Sequence, residues 1–162
     1  MQEFVNEYDY TEELAAESIT VWWKWKTGKS KVLLYAIIIL SAAFVIFQQE
    51  MLFLIPVAVA AASLLIVRFR IRTGIKTEKE RLQVLNAGKP LHMKIEIKDK
   101  LYMTSKDQSR TIELANVVAY KETEHMYVLF LKGSLTLACK KEGFTLGTDE
   151  EFLQFLSQLV VK

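Results

Sequence analysis

The chain has 162 residues, 51% hydrophobic and 25% charged, with 21 Lys and Arg against 19 Asp and Glu. This balance excludes a disordered chain, which is polar and poor in aromatics, and 6 Gly and 2 Pro exclude collagen-like and low-complexity sequence. One Cys excludes an intrachain disulfide scaffold or a Cys-rich metal site, and a net charge of +2 argues against nucleic acid as a partner.

Residues 3–10 alternate, with Phe4, Tyr8 and Tyr10 on one side and Glu7 and Asp9 on the other, which predicts a strand. Thr11-Glu12-Glu13 reads as a helix start, with acids in the first turn. Leu14, Ser18, Val21, Trp22 and Trp25 then fall at spacings of three and four and form one face. With Lys24 and Lys26 near its end, this predicts an amphipathic helix at an inner membrane interface, running into an apolar segment near Gly28.

Across residues 32–67 the only charged side chain is Glu50, which divides the stretch into residues 32–49 and 51–67. At about 1.5 Å per residue, a helix of either length reaches roughly 26 Å, against a hydrocarbon core of about 30 Å. The flanks supply the remainder. Trp22, Trp23 and Trp25, with Lys24 and Lys26 among them, suit the headgroup level before the first segment, and Arg68, Arg70 and Arg72 follow the second. These eight residues are the expected membrane-interface contacts. Lysine and arginine crowd both outer flanks and are missing from the turn at Phe47-Gln48-Gln49-Glu50, so the positive-inside rule places both termini in the cytoplasm. A core hairpin of a soluble domain fits less well, because so small a domain can hardly surround two uncharged helices. A cleaved signal peptide is not expected, since the apolar stretch begins past residue 30 and is immediately doubled. Ala58 and Ala62, four apart, suit close packing of the two helices, and Pro56 sits at the start of the second, where it costs least.

After the arginines, residues 75–87 read as a short helix with Leu82 and Leu85 apolar, stopped by Gly88 and Pro90. The period then changes to two. Strands are predicted at residues 92–97, 101–104, 111–114, 117–124, 126–132 and 135–139, with turns at Asp99-Lys100 and Gly133-Ser134. Thr148 and Glu151 form a capping box, and Phe152, Phe155, Leu156, Leu159 and Val160 make the apolar stripe of a closing helix. The expected fold is α+β: a two-helix transmembrane hairpin carrying a cytoplasmic antiparallel β-barrel or sheet, closed by a C-terminal helix in the pleckstrin-homology layout. It divides the chain into an N-terminal strand and interfacial helix (1–31), a membrane hairpin (32–67) and a cytoplasmic connecting helix with the pleckstrin-homology-like domain (68–162). The N-terminal strand is free to complete the barrel, because both ends share one side.

Several stretches together resemble a bacterial family. They are the Phe4-Val5-Asn6-Glu7-Tyr8 strand, the Thr11-Glu12-Glu13 helix start, the apolar hairpin with its basic exit, Ile112-Glu113-Leu114-Ala115-Asn116-Val117, the aromatic hairpin over residues 126–131, and Phe144 with Asp149-Glu150-Glu151-Phe152. In this order they resemble the YcxB-like proteins. The resemblance implies a bacterial inner-membrane protein, two-pass, with a pleckstrin-homology-like cytoplasmic domain. It implies no enzyme activity, cofactor or substrate.

The residues themselves offer little chemistry. His125 stands beside Glu122 and Glu124, but in an extended strand the two acids share one face and His125 takes the other, so a solvated hairpin tip is expected rather than a metal site. His92 follows Pro90 at a strand start. Cys139 has no histidine near it in sequence and reads as structural. Lys140-Lys141 and Lys94, Lys98 and Lys100 suit solvated faces or guarded strand edges. Phosphate loops, nucleophile elbows and His-Glu-x-x-His helices are missing. The expectation is a membrane-anchored interaction module, without cofactor or catalysis, that binds a protein or peptide by strand addition. The alternative is a domain that reads anionic lipid headgroups. The expected partners are the lipid bilayer and a protein or second copy of the chain, with no nucleic acid.

Overall fold

The computed structural model describes residues 2–48, 54–87, 89–106 and 108–160. In chain order these form β1 (Phe4–Tyr10), α1 (Glu12–Gln48), α2 (Leu54–Asn86), β2 (Leu91–Ile97), β3 (Lys100–Ser105), β4 (Gln108–Glu113), β5 (Val117–Glu122), β6 (Met126–Leu131), β7 (Leu135–Lys140), β8 (Phe144–Leu146) and α3 (Asp149–Val160). The fold is α+β.

The strands make two antiparallel sheets, one in the order β4-β3-β2-β1-β8 and one in the order β5-β6-β7. The expected closed barrel is not formed; both sheets are open. A 3₁₀ turn at Leu114–Asn116 parts β4 from β5, and β8 is only three residues long. Where β7 ends beside β1, a side chain replaces the missing ladder. Asn6, fully buried, donates from Nδ2 to the Lys140 carbonyl at 2.7 Å and accepts the Lys140 N–H on Oδ1 at 3.0 Å. Tyr8 adds a second tie, its hydroxyl donating to the Ala138 carbonyl at 2.5 Å.

β1 lies between β2 and β8, so strands from the two ends of the sequence share one sheet. Its inner side carries Phe4, Asn6 and Tyr8 into the core. Its outer side pairs Glu7 with Lys94 (3.1 Å) and Asp9 with His92 (3.2 Å) across the ladder. The C-terminal segment is shaped to receive it. A Cβ on Gly143 would lie 2.9 Å from the Glu7 carbonyl, and one on Gly147, at φ +79°, would lie 2.5 Å from the Phe4 ring. α3 starts on the expected capping box, with Thr148 N–H donating to Glu151 Oε2 at 3.1 Å and Glu151 N–H to Thr148 Oγ1 at 3.2 Å. It sets Phe152 against Phe4 (5.3 Å), Phe144 (5.0 Å) and Tyr127 (5.7 Å), joining both sheets in one aromatic cluster.

The helices differ from expectation. α1 runs unbroken through Gly28, and α2 absorbs the short helix expected over residues 75–87. Nothing at these joins breaks a helix: Gly28 has open space around it, and Gly74 gives α1 close access, with Ile19 and Trp23 side-chain atoms 3.6 and 3.8 Å from the position of its missing Cβ. Pro56 falls in the first turn of α2, as read. Gln49, Glu50 and Gly88, assigned to the hairpin turn and the helix stop, lie outside the described residues.

The expected transmembrane hairpin is not supported, and the two-pass inner-membrane placement goes with it. Among the described residues, no helix is long and apolar enough to cross a membrane. Within the described helices the uncharged runs are residues 32–48 of α1 and 54–67 of α2, or about 26 and 21 Å against about 30 Å of hydrocarbon. The two helices instead pack on each other and project beyond the sheets as an arm. Its seam passes through Ser41 and Ala60, both buried, whereas Ala58 and Ala62 of the expected seam are exposed. Large apolar side chains stand out from the arm, among them Ile39 at 67% exposure, Leu40 at 66% and Phe69 at 70%.

Candidate functional site

The apolar face of α1, read as a membrane contact, packs in part on protein, while Lys24, Trp25 and Lys26 remain exposed. Leu14, Ala15 and Ser18 are buried, and Trp25 stacks on Phe130 of β6 with ring centroids 4.3 Å apart and planes 10° from parallel. Trp22 packs against the core and carries the Lys26 ammonium 4.6 Å above its ring. Trp23 meets Trp22 edge-on at 4.9 Å and reaches α2 at Gly74. An apolar stripe at helical spacing states that a helix has a covered side, and here the cover is β6, buried along its whole length. Arg68, Arg70 and Arg72 are exposed on α2, and among the described residues none of them forms an ion pair.

Two cavities open beside these helices. The larger, about 1000 Å³, lies where α2 hangs over the gap between the two sheets. Its floor is the inner face of β1, β2 and β3, where Tyr8 and Tyr10 stand beside Met93 and Met103, and its walls include Leu82 of α2 and Leu137 of β7. Register fixes this grouping: Tyr8 pairs with Met93, and Met103 with Arg110 of β4. The Tyr10 hydroxyl lies 3.3 Å from Ser18 Oγ, and burial, helped by nearby Glu78, raises its phenol above the ordinary value against the opposing pull of Ser18 and Arg81. Of the acids at the mouth, Glu78 is met by Arg81 at 3.6 Å and Glu80 by Lys76 at 3.7 Å.

β4 forms one lip of this cavity through Gln108 and Arg110. It ends its sheet, with neighbour β3 on one side only. Every second residue of such a strand turns its N–H and C=O away from the ladder. Five of its six residues are exposed.

The smaller cavity, about 750 Å³, lies between α1 and the β5–β6 turn and contains Lys24, Trp25, Glu122, Glu124 and His125. His125 is partnered not by its neighbours in sequence but by Glu17 of α1, 108 residues away. Its Nδ1 lies 3.1 Å from Glu17 Oε2, and its backbone N–H donates to Oε1 at 3.4 Å. Burial works to raise the Glu17 carboxyl, but hydrogen bonds from Thr123 and from the His125 backbone and ring outweigh it and hold the group below the ordinary carboxylate value. Glu122 is taken by Lys141 at 2.6 Å. Among the described residues, no group of three His, Cys, Asp or Glu side chains is placed to hold a metal ion. Cys139 is fully buried, and that burial pushes its thiol far above the ordinary value, away from the reactive thiolate.

Sequence reasoning missed Arg110, Glu17 and β8. Arg110 carried a signal: it is a lone cation between Gln108 and Ile112 on the inward parity of a strand. Glu17 carried none, since its partner is fixed only by the tertiary fold. No family model, no curated protein and no solved structure matches the chain.

Proposed function

We propose that the protein is a non-catalytic interaction module that takes up an extended peptide segment along β4. The observation that carries this reading is the unpaired edge of a five-stranded sheet, exposed along its length and set at the lip of the large cavity. An incoming strand would satisfy the outward backbone groups and place alternate side chains over the cleft. The inert thiol and the internally paired acids support a binding role over a chemical one.

The test is selection of peptides from a random library on the full chain, followed by amide hydrogen exchange. Binding should protect the amides of residues 108–113, and N-methylating alternate residues of a selected peptide should weaken it at least about tenfold, since each removes a ladder hydrogen bond in a water-excluded edge. Protection elsewhere, with β4 exchange unchanged, overturns the reading.

A further inference from the structure

We propose that the cavity under α2 is a binding site for an amphipathic carboxylate, an apolar chain bearing one anionic head, with Arg110 as its counter-ion. This site shares its mouth with β4 but does not depend on peptide uptake along the backbone edge.

Volume and lining define the body of the ligand. A space of about 1000 Å³ lined by Tyr8, Met93, Met103, Leu82 and Leu137 suits an apolar molecule of drug or acyl-chain size. The two methionines give the floor adaptable, polarisable surfaces. From Arg110 inward, the floor crosses β4 to β3 at Met103, then runs diagonally to Met93, two residues along β2 from Met103's partner Ile95, and on to Tyr8 of β1, a path somewhat longer than the about 14 Å of three strand spacings.

Charge defines the head. Glu78 and Glu80 are already matched by Arg81 and Lys76 on their own helix. Of the other cations lining the cleft, Arg81 pairs with Glu78 and Lys106 also has an interaction of its own, whereas Arg110 forms no ion pair among the described residues. Its planar donor fork matches a carboxylate, and a head held there leaves the chain directed over Met103 and Met93.

The experiment uses the full chain with ¹³C-methyl methionine and follows its methyl resonances by NMR while laurate, dodecanol or dodecyltrimethylammonium is added below the micellar range. The chain has 5 Met, so a cleft signal at Met93 and Met103 is distinct from one at Met51, between α1 and α2 in sequence. Laurate should shift Met93 and Met103 saturably and bind about tenfold more tightly than dodecanol, with the cation weaker still. Arg110→Ala, at an exposed position, should remove the laurate advantage and leave dodecanol unchanged, and Arg110→Lys should restore part of it. If laurate moves only Met51, or the three heads bind alike, the site is not the one proposed. If Arg110→Ala leaves laurate affinity intact, the arginine serves only to deter edge-to-edge pairing, and the inference fails while the β4 reading is untouched.

Discussion

Over its first turns, near Leu14 and Trp25, α1 rests on the three-stranded sheet, whereas over residues 32–43 its surroundings are α2 and solvent. The first stretch hides Leu14, Ala15 and Ser18 beneath it and lays Trp25 flat on Phe130, while the second leaves Val32, Leu33, Ile39 and Leu40 in the open. The exposed stretch is the more apolar of the two. Burial in this molecule therefore follows proximity to the sheets rather than hydrophobicity, and the stability of the fold should reside in the β-rich body. The arm thus carries exposed apolar surface where the body contributes cohesion.

The sharpest way to break this contrast is to hollow out the body. Phe152→Ala removes the ring that meets Phe4, Tyr127 and Phe144, and should lower the unfolding free energy by about 3–5 kcal/mol in a urea titration; a loss under about 1 kcal/mol would place cohesion elsewhere. Next comes the tie between the sheets. Asn6→Ala strips the partners from the Lys140 N–H and carbonyl and should cost about 2–4 kcal/mol, with hydrogen exchange rising first in β7 and β1. A smaller effect belongs to the joint between α1 and the body. Glu17 is held below the ordinary carboxylate value, so its contribution is complete above that range and fades as pH falls through its lowered value. Between neutral pH and about pH 3, the loss assignable to it should be under about 1 kcal/mol. Comparing urea midpoints of wild type and Glu17→Gln isolates that share, which vanishes in the variant. Smallest of all is the arm: Ile39→Ser and Leu40→Ser should shift the unfolding midpoint of the body by no more than about 0.5 kcal/mol. A penalty near that of Phe152→Ala would erase the distinction between the two regions.

Local signals made much of the body legible. The alternation of β1, the turn at Gly133-Ser134 and the Thr148–Glu151 box each depend on residues a few positions apart, and each stands in the structure. Three residues of β8 are too few to show a period. The stripe from Leu14 to Trp25 identified a face that is covered at Leu14 and Ser18 and left partly open at Trp25, but periodicity is the same whether the cover is lipid or a β-strand, and here it includes β6. Barrel closure failed on the step at Leu114–Asn116, three residues whose turn is not written in their composition. In the candidate sites, the Glu17–His125 pair spans 108 positions and Arg110 meets the cleft only through the ladder with Met103. Such pairings exist only once the sheets are assembled.

The position of β1 carries a consequence for how the molecule comes into being. Its hydrogen-bonding neighbours are β2, reached only after both long helices, and β8, with Val5 set opposite Leu146. Contacts so distant along the chain raise the contact order and slow the search for the native state. β1 cannot pair with β2 until both long helices between them have been made, and its other edge stays open until Phe144–Leu146 follow. Until β8 is made, β1 presents a vacant edge that another strand can occupy, so the incomplete chain is exposed to misassembly there.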